Sequence, residues 1–86
     1  MEELPAHWFT INRIRFNPKH SLVATASRDK TIKIWNSSNF KLLKVIDYER
    51  YGCHLNSIND LYWLPDGQHL ISCSDDRTLI VWEVNF

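Results

Sequence analysis

The chain has 86 residues, with 10 basic and 10 acidic side chains and no net charge when its histidines are neutral. That balance excludes a general nucleic-acid or anionic-membrane surface, which would need clustered Lys and Arg. Apolar residues make up 44 %, with four Trp, four Phe and three Tyr, a load that favours packed surfaces over disorder. No apolar run approaches the roughly 20 residues that span a bilayer. Met1-Glu2-Glu3 is acidic and no apolar h-region follows, so no signal peptide is expected. Cys53 and Cys73 read as free thiols in a reducing, cytoplasmic setting.

Short β-rich runs separated by turn residues predict an all-β chain. The first strands are expected at about Ile11–Phe16, Leu22–Ser27 and Thr31–Trp35. Asn17-Pro18-Lys19-His20 breaks the first pair, and Arg28-Asp29-Lys30 turns the second. A fourth strand, about Lys41–Ile46, follows Asn36-Ser37-Ser38-Asn39; its two lysines suit a sheet edge. Asp47 to Cys53 then forms a longer connection carrying Tyr48, Arg50 and Tyr51. Three more strands are expected at about Ile58–Trp63, Leu70–Ser74 and Thr78–Val84, with Leu64-Pro65-Asp66-Gly67 as the first turn. Leu22-Val23-Ala24 and Leu79-Ile80-Val81 are apolar on both parities, which predicts cover on both faces.

The second group of strands repeats the first. Ser27-Arg28-Asp29-Lys30-Thr31-Ile32-Lys33-Ile34-Trp35 aligns with Ser74-Asp75-Asp76-Arg77-Thr78-Leu79-Ile80-Val81-Trp82, an offset of 82 − 35 = 47 residues. His7 and His54, Ile11 and Ile58, Asn12 and Asn59, and Pro18 and Pro65 keep that offset. The register runs without a gap from His7 to Asn36. A repeat of about this length is one supersecondary unit, and such units cannot bury their faces alone.

A His, then a Ser/Thr, an Asp and a Trp at fixed spacing, occurring twice, resembles the WD-repeat β-propeller family over about residues 7–83. The family's Gly-His pair stands here as Ala6-His7 and Cys53-His54, and its closing Trp-Asp as Trp35-Asn36 and Trp82-Glu83. The resemblance implies blades of four antiparallel strands, a to d, set radially around a channel. It implies a partial propeller over 1–86, with a first repeat and its strand d at 7–46 and a second repeat at 54–84: one complete four-stranded blade plus three strands of a second. It also implies a structural network in each copy, of His7, Thr25, Asp29 and Trp35, and of His54, Ser72, Asp76 and Trp82. There the turn Asp accepts from the imidazole, the imidazole meets the strand-b hydroxyl, and the hydroxyl meets the indole N–H. Leaving such buried groups unpaired costs about 1–3 kcal/mol each.

Ser72, His54 and Asp76 are also the residue types of a nucleophilic triad. The same set recurs as Thr25, His7 and Asp29, as expected of a structural network rather than a catalytic one, and no Gly-x-Ser-x-Gly turn is present. No enzymatic activity and no cofactor are therefore expected. The four His and two Cys show no metal-ligand spacing. Arg13 and Arg15 alternate on one strand and face a channel, a polar inter-blade position or solvent.

In the family fold the d–a connections and b–c turns share the top end of the propeller. That gathers Tyr48, Arg50, Tyr51, Arg28, Asp75, Thr10, Asn12, Ser57 and Asn59 as a candidate partner site. Tyr and Arg are enriched at the energetic centres of protein interfaces. The expected function is a protein–protein interaction scaffold, bound by other proteins or peptides. The alternative is a ring-closing end that positions a catalytic domain elsewhere in a larger enzyme. The second copy ends after its third strand, so the chain resembles the C-terminal end of a propeller. It should be covered by further blades of the same polypeptide, or in isolation associate head to tail, with three or four chains closing a ring.

Overall fold

The computed structural model describes residues 10–53 and 56–84. In chain order it contains β1 (Ile11–Phe16), β2 (Leu22–Ser27), β3 (Ile32–Asn36), β4 (Leu42–Ile46), α1 (Tyr48–Tyr51), β5 (Ile58–Trp63), β6 (His69–Ser74) and β7 (Leu79–Glu83). Two antiparallel sheets result, one ordered β1-β2-β3-β4 and one ordered β5-β6-β7. The all-β expectation of one four-stranded blade and three strands of another holds. Two details differ. The connection after β4 contains a single helical turn, α1, and four of the strands differ by one residue, β4 and β6 at their start and β3 and β7 at both ends.

Turn chemistry explains the later starts of β3 and β7. Thr31 donates through both its N–H and its hydroxyl to Asp29 Oδ1, and Thr78 does the same to Asp76 Oδ1. Each threonine is thereby spent on the turn rather than on the ladder. The residue before it, Lys30 at φ 73° or Arg77 at φ 67°, is left-handed. A three-residue hairpin loop commonly ends in this way. β4 starts at Leu42 because the Lys41 N–H is held by Asn39 Oδ1 at 3.0 Å.

Each blade also carries a bulge at the same repeat position, between Ile11 and Arg13 in β1 and between Ile58 and Asp60 in β5. A bulge resets strand alternation by one residue. Ile58, Leu61 and Trp63 can therefore share one face of β5, and Ile11, Ile14 and Phe16 one face of β1, despite their uneven spacing.

The sheets pack through β1 and β2 against β5. The core lies at this seam, where Ala24, Ala26, Ile32, Ile34 and Ile46 meet Ile58, Leu61, Trp63 and Leu70, with Trp82 alongside. The Trp63 ring is buried here, and its Nε1 donates to the Arg15 carbonyl at 2.9 Å. At the same seam Asn17 Nδ2 donates to the Gly67 carbonyl at 2.9 Å. Gly67 has φ +71°, and a Cβ there would lie 3.0 Å from both Asn17 Oδ1 and Lys19 Cβ. Only glycine fits that backbone at that approach.

Cover on both faces is found for Leu22, Val23 and Ala24 but not for the second apolar run, where Leu79 and Val81 are exposed. Their face of β7 points away from the seam. β4 is the outer strand of its sheet, consistent with its lysines.

Candidate interaction surface

Strand register brings several segments to one end of the molecule. Ile11 pairs with Ser27, Ala26 with Ile32, and Ile32 with Ile46. The start of β1, the β2–β3 turn and the exit of β4 into α1 therefore share one end of the first sheet. In the second sheet Ile58 pairs with Ser74, so the β6–β7 turn lies beside the start of β5.

Backbone bonds tie these segments together in the same way in both blades. Arg28 N–H donates to the Thr10 carbonyl at 3.0 Å, and Asp75 N–H to the Ser57 carbonyl at 3.2 Å. The buried Ser27 hydroxyl also donates to the Thr10 carbonyl, at 3.0 Å. Above this frame the side chains of Thr10, Arg28, Asn59, Asp75 and Tyr51 are exposed. Asn59 Nδ2 donates to Asp75 Oδ1. The Lys44 ammonium stands 5.2 Å from the centre of the Tyr51 ring, within cation–π range.

Asn12 and Ser57 are placed differently. Asn12 Nδ2 crosses the seam to Ser57 Oγ at 3.0 Å and to the Ile58 carbonyl at 2.9 Å. Both side chains are half-buried and join the blades. Arg13 and Arg15 also reach across, to Asp60 Oδ1 at 3.1 and 3.4 Å. Asp60 was not singled out from the sequence. The signal was available, since Arg13 and Asp60 occupy the same repeat position with opposite charge.

Within the repeated polar sets, Trp35 Nε1 donates to Thr25 Oγ1 at 3.0 Å, and Trp82 Nε1 to Ser72 Oγ at 2.9 Å. Both hydroxyls are buried, so each indole N–H is satisfied where water is scarce. Asp29 and Asp76 hold their turns through Thr31 and Thr78. His7 and His54 lie outside the described residues, as do the side chains of Tyr48 and Arg50. Cys53 is buried and Cys73 half-buried, and no disulfide joins them.

At the opposite end, in the β5–β6 turn, the Asp66 carboxyl is held below the usual carboxylate range. The main cause is the Gln68 backbone N–H, followed by the His69 ring, whose Nδ1 lies 2.6 Å from Asp66 Oδ2.

Known proteins carry the same architecture in sequence. The family profile described as "WD domain, G-beta repeat" matches residues 1–36 and 44–83. The chain is 30 % identical to the protein named Protein HIRA of Dictyostelium discoideum over 93 % of its own length and 8 % of the relative's. It is 30 % identical to Lissencephaly-1 homolog 1 of Paramecium tetraurelia over 98 % of its length and 24 % of the relative's. It is 35 % identical to a probable cytosolic iron-sulfur protein assembly protein 1 of Cryptococcus neoformans var. neoformans over 93 % of its length and 21 % of the relative's. The chain thus spans between 8 and 24 % of the length of these relatives. With two blade-like sheets, an indole–hydroxyl bond in each and a profile match across both repeats, the chain belongs to the WD-repeat (WD domain, G-beta repeat) family.

Proposed function

We propose that this protein is a non-catalytic protein–protein interaction scaffold that presents the end of its blades carrying the β2–β3 and β6–β7 turns. The two repeats, over 7–46 and 54–84, form part of a propeller ring in this reading. The observation that carries it is the exposed set Thr10, Arg28, Tyr51, Asn59 and Asp75, raised on backbone bonds that need none of these side chains. Such residues can change without cost to the sheets and remain available for a partner. Tyr48 and Arg50 on α1 belong to the same end of the chain path. Ser72 supports the non-catalytic part: its hydroxyl is buried and accepts the Trp82 N–H, which suits a structural group better than a nucleophile. No described helix is long and apolar enough to cross a membrane. The word "cytosolic" in one relative's name supports a cytoplasmic location.

The test is binding by the quadruple variant Arg28→Ala, Tyr48→Ala, Arg50→Ala, Tyr51→Ala compared with the unmodified chain. Loss at hot-spot residues should weaken capture of partner proteins by roughly 1–4 kcal/mol, with the circular dichroism of the folded chain unchanged. Full retention of every partner by the folded variant would overturn the assignment of this surface.

A further inference from the structure

Arg13 and Arg15 both pair with Asp60 Oδ1, at 3.1 and 3.4 Å, and among the described residues with no other acid. That one oxygen also accepts the Leu61 N–H at 2.8 Å. Two guanidinium groups therefore share one carboxylate, and among the described residues one positive charge is left unbalanced. All three side chains are close to half exposed, so the surplus charge is open to an anion.

Arg15 also lines a groove of about 290 Å³, together with Phe16, Pro18, Tyr62, Trp63 and Pro65. The groove lies where β1 and β5 end and their following turns begin, at the opposite end of the sheets from Thr10, Arg28 and Asp75. Trp63 is buried in the seam, and its bond to the Arg15 carbonyl fixes the floor. Phe16 and Tyr62 are exposed and form the rim. The groove spans the seam rather than either outer face, so both its walls are present in this chain.

Repeat position separates this feature from the structural ones. The bulge and the indole–hydroxyl bond occur in both blades. One repeat on, Arg13 and Arg15 are replaced by Asp60 and Tyr62. The cation pair is thus not something the strand requires.

We propose that this groove binds a peptide segment in which a carboxylate stands beside an apolar side chain. Charge complementarity sets the first group, because the surplus guanidinium charge attracts an anion and Arg holds a carboxylate through paired N–H bonds. The aromatic rings and the two prolines set the second. The groove is at the low end of the roughly 300–1,000 Å³ of ligand pockets, which suits one side chain better than a nucleotide cofactor. Asp60 within the cluster and the balanced charge of the chain oppose a nucleic acid. The site is separate from the surface proposed above, and neither needs the other.

Titration of the isotope-labelled chain with the peptide acetyl-Gly-Asp-Leu-Gly-amide, to millimolar concentration, tests the site by NMR. The Trp63 indole N–H resonance should shift and saturate. A peptide with Asn in place of Asp should bind about two- to fivefold more weakly, as for loss of a half-exposed ion pair, and so should the folded Arg15→Gln chain. A peptide with Gly in place of Leu, and the Tyr62→Ala chain, should also bind more weakly. Asp60→Asn should tighten binding about twofold, because it releases both guanidinium groups; a merely structural ion pair would not respond so. The quadruple variant of the other end should bind the peptide normally. An unmoved indole resonance, equal affinity for the Asn peptide, weaker binding by folded Asp60→Asn, or an equal shift with inorganic phosphate alone would each overturn the proposal.

Discussion

β1 and β5 are the same strand written twice, and they meet opposite fates. Ile11, Ile14 and Phe16 are 37, 51 and 63 % exposed, while their counterparts Ile58, Leu61 and Trp63 are 0, 2 and 5 % exposed. Both strands carry the same bulge at the same place, and both aim these residues at one face. The difference lies in the neighbour: β5 has β1 and β2 packed against it, while among the described residues no strand covers the equivalent, exposed face of β1. Intrinsic strand character is thus shared, and burial is set by position in the stack.

The strongest way to break this comparison is to truncate equivalent residues. Leu61→Ala should cost about 2–5 kcal/mol, as expected for emptying a packed seam. Ile14→Ala should stay within about 0.5 kcal/mol when the chain is dilute enough to be single. Denaturant midpoints at low concentration measure both, and equal losses would mean that the seam is not the core.

Glycine substitution sharpens the same contrast. Gly52 and Gly67 both have positive φ, but a Cβ on Gly52 meets nothing within 4 Å. Gly52→Ala should show only the left-handed backbone cost, about 1–2 kcal/mol. Gly67→Ala should add roughly 1–3 kcal/mol for overpacking against Asn17 and Lys19. Thermal or chemical unfolding of the two variants side by side tests whether the seam leaves room.

A smaller effect separates the two indoles. Trp82→Phe removes a bond to Ser72 on the seam face, and about 0.5–1.5 kcal/mol should be lost. Trp35→Phe removes the matching bond to Thr25 on the open face, where water can reach the rim, and should cost less. The reverse order in equilibrium unfolding would mean that the outer face is as dry as the inner one.

The smallest effect is one of pH. The turns before β2 and β6 are held alike: Asn17 Oδ1 accepts the N–H groups of Lys19 and His20, and Asp66 Oδ1 those of Gln68 and His69. Only the second titrates. Its folded pKa is depressed, so its contribution is fully present above the unfolded value of about 3.9. That contribution is lost as pH falls through the lower, folded pKa. An NMR titration should place Asp66 below the usual carboxylate range. His69→Ala should raise it only in part, because the Gln68 N–H is the larger cause. A full return to the ordinary value in that variant would reverse the ranking.

Much of this was legible in the residues. Seven strands, their turns and the repeat follow from local pattern, because strand alternation and turn chemistry are properties of a few consecutive residues; the indole–hydroxyl pairings were implied by the family resemblance alone. The helical turn at Tyr48–Tyr51 was hidden, since four residues are too few to show a helical period. The paired bulges were hidden too, although the spacing of Ile11, Ile14 and Phe16 departs from strict alternation. The top-end residues were gathered only through what the family resemblance implies about which turns share an end. That Asn12 and Ser57 are spent on the seam, and that Arg13 and Arg15 converge on Asp60, depends on groups 45 to 47 residues apart. Only the stacking of one sheet on the other sets that register. An apolar strand states that its faces can be buried; which face meets a neighbour, and which is left open, was decided by the tertiary structure, because burial belongs to a pair of surfaces and not to either one.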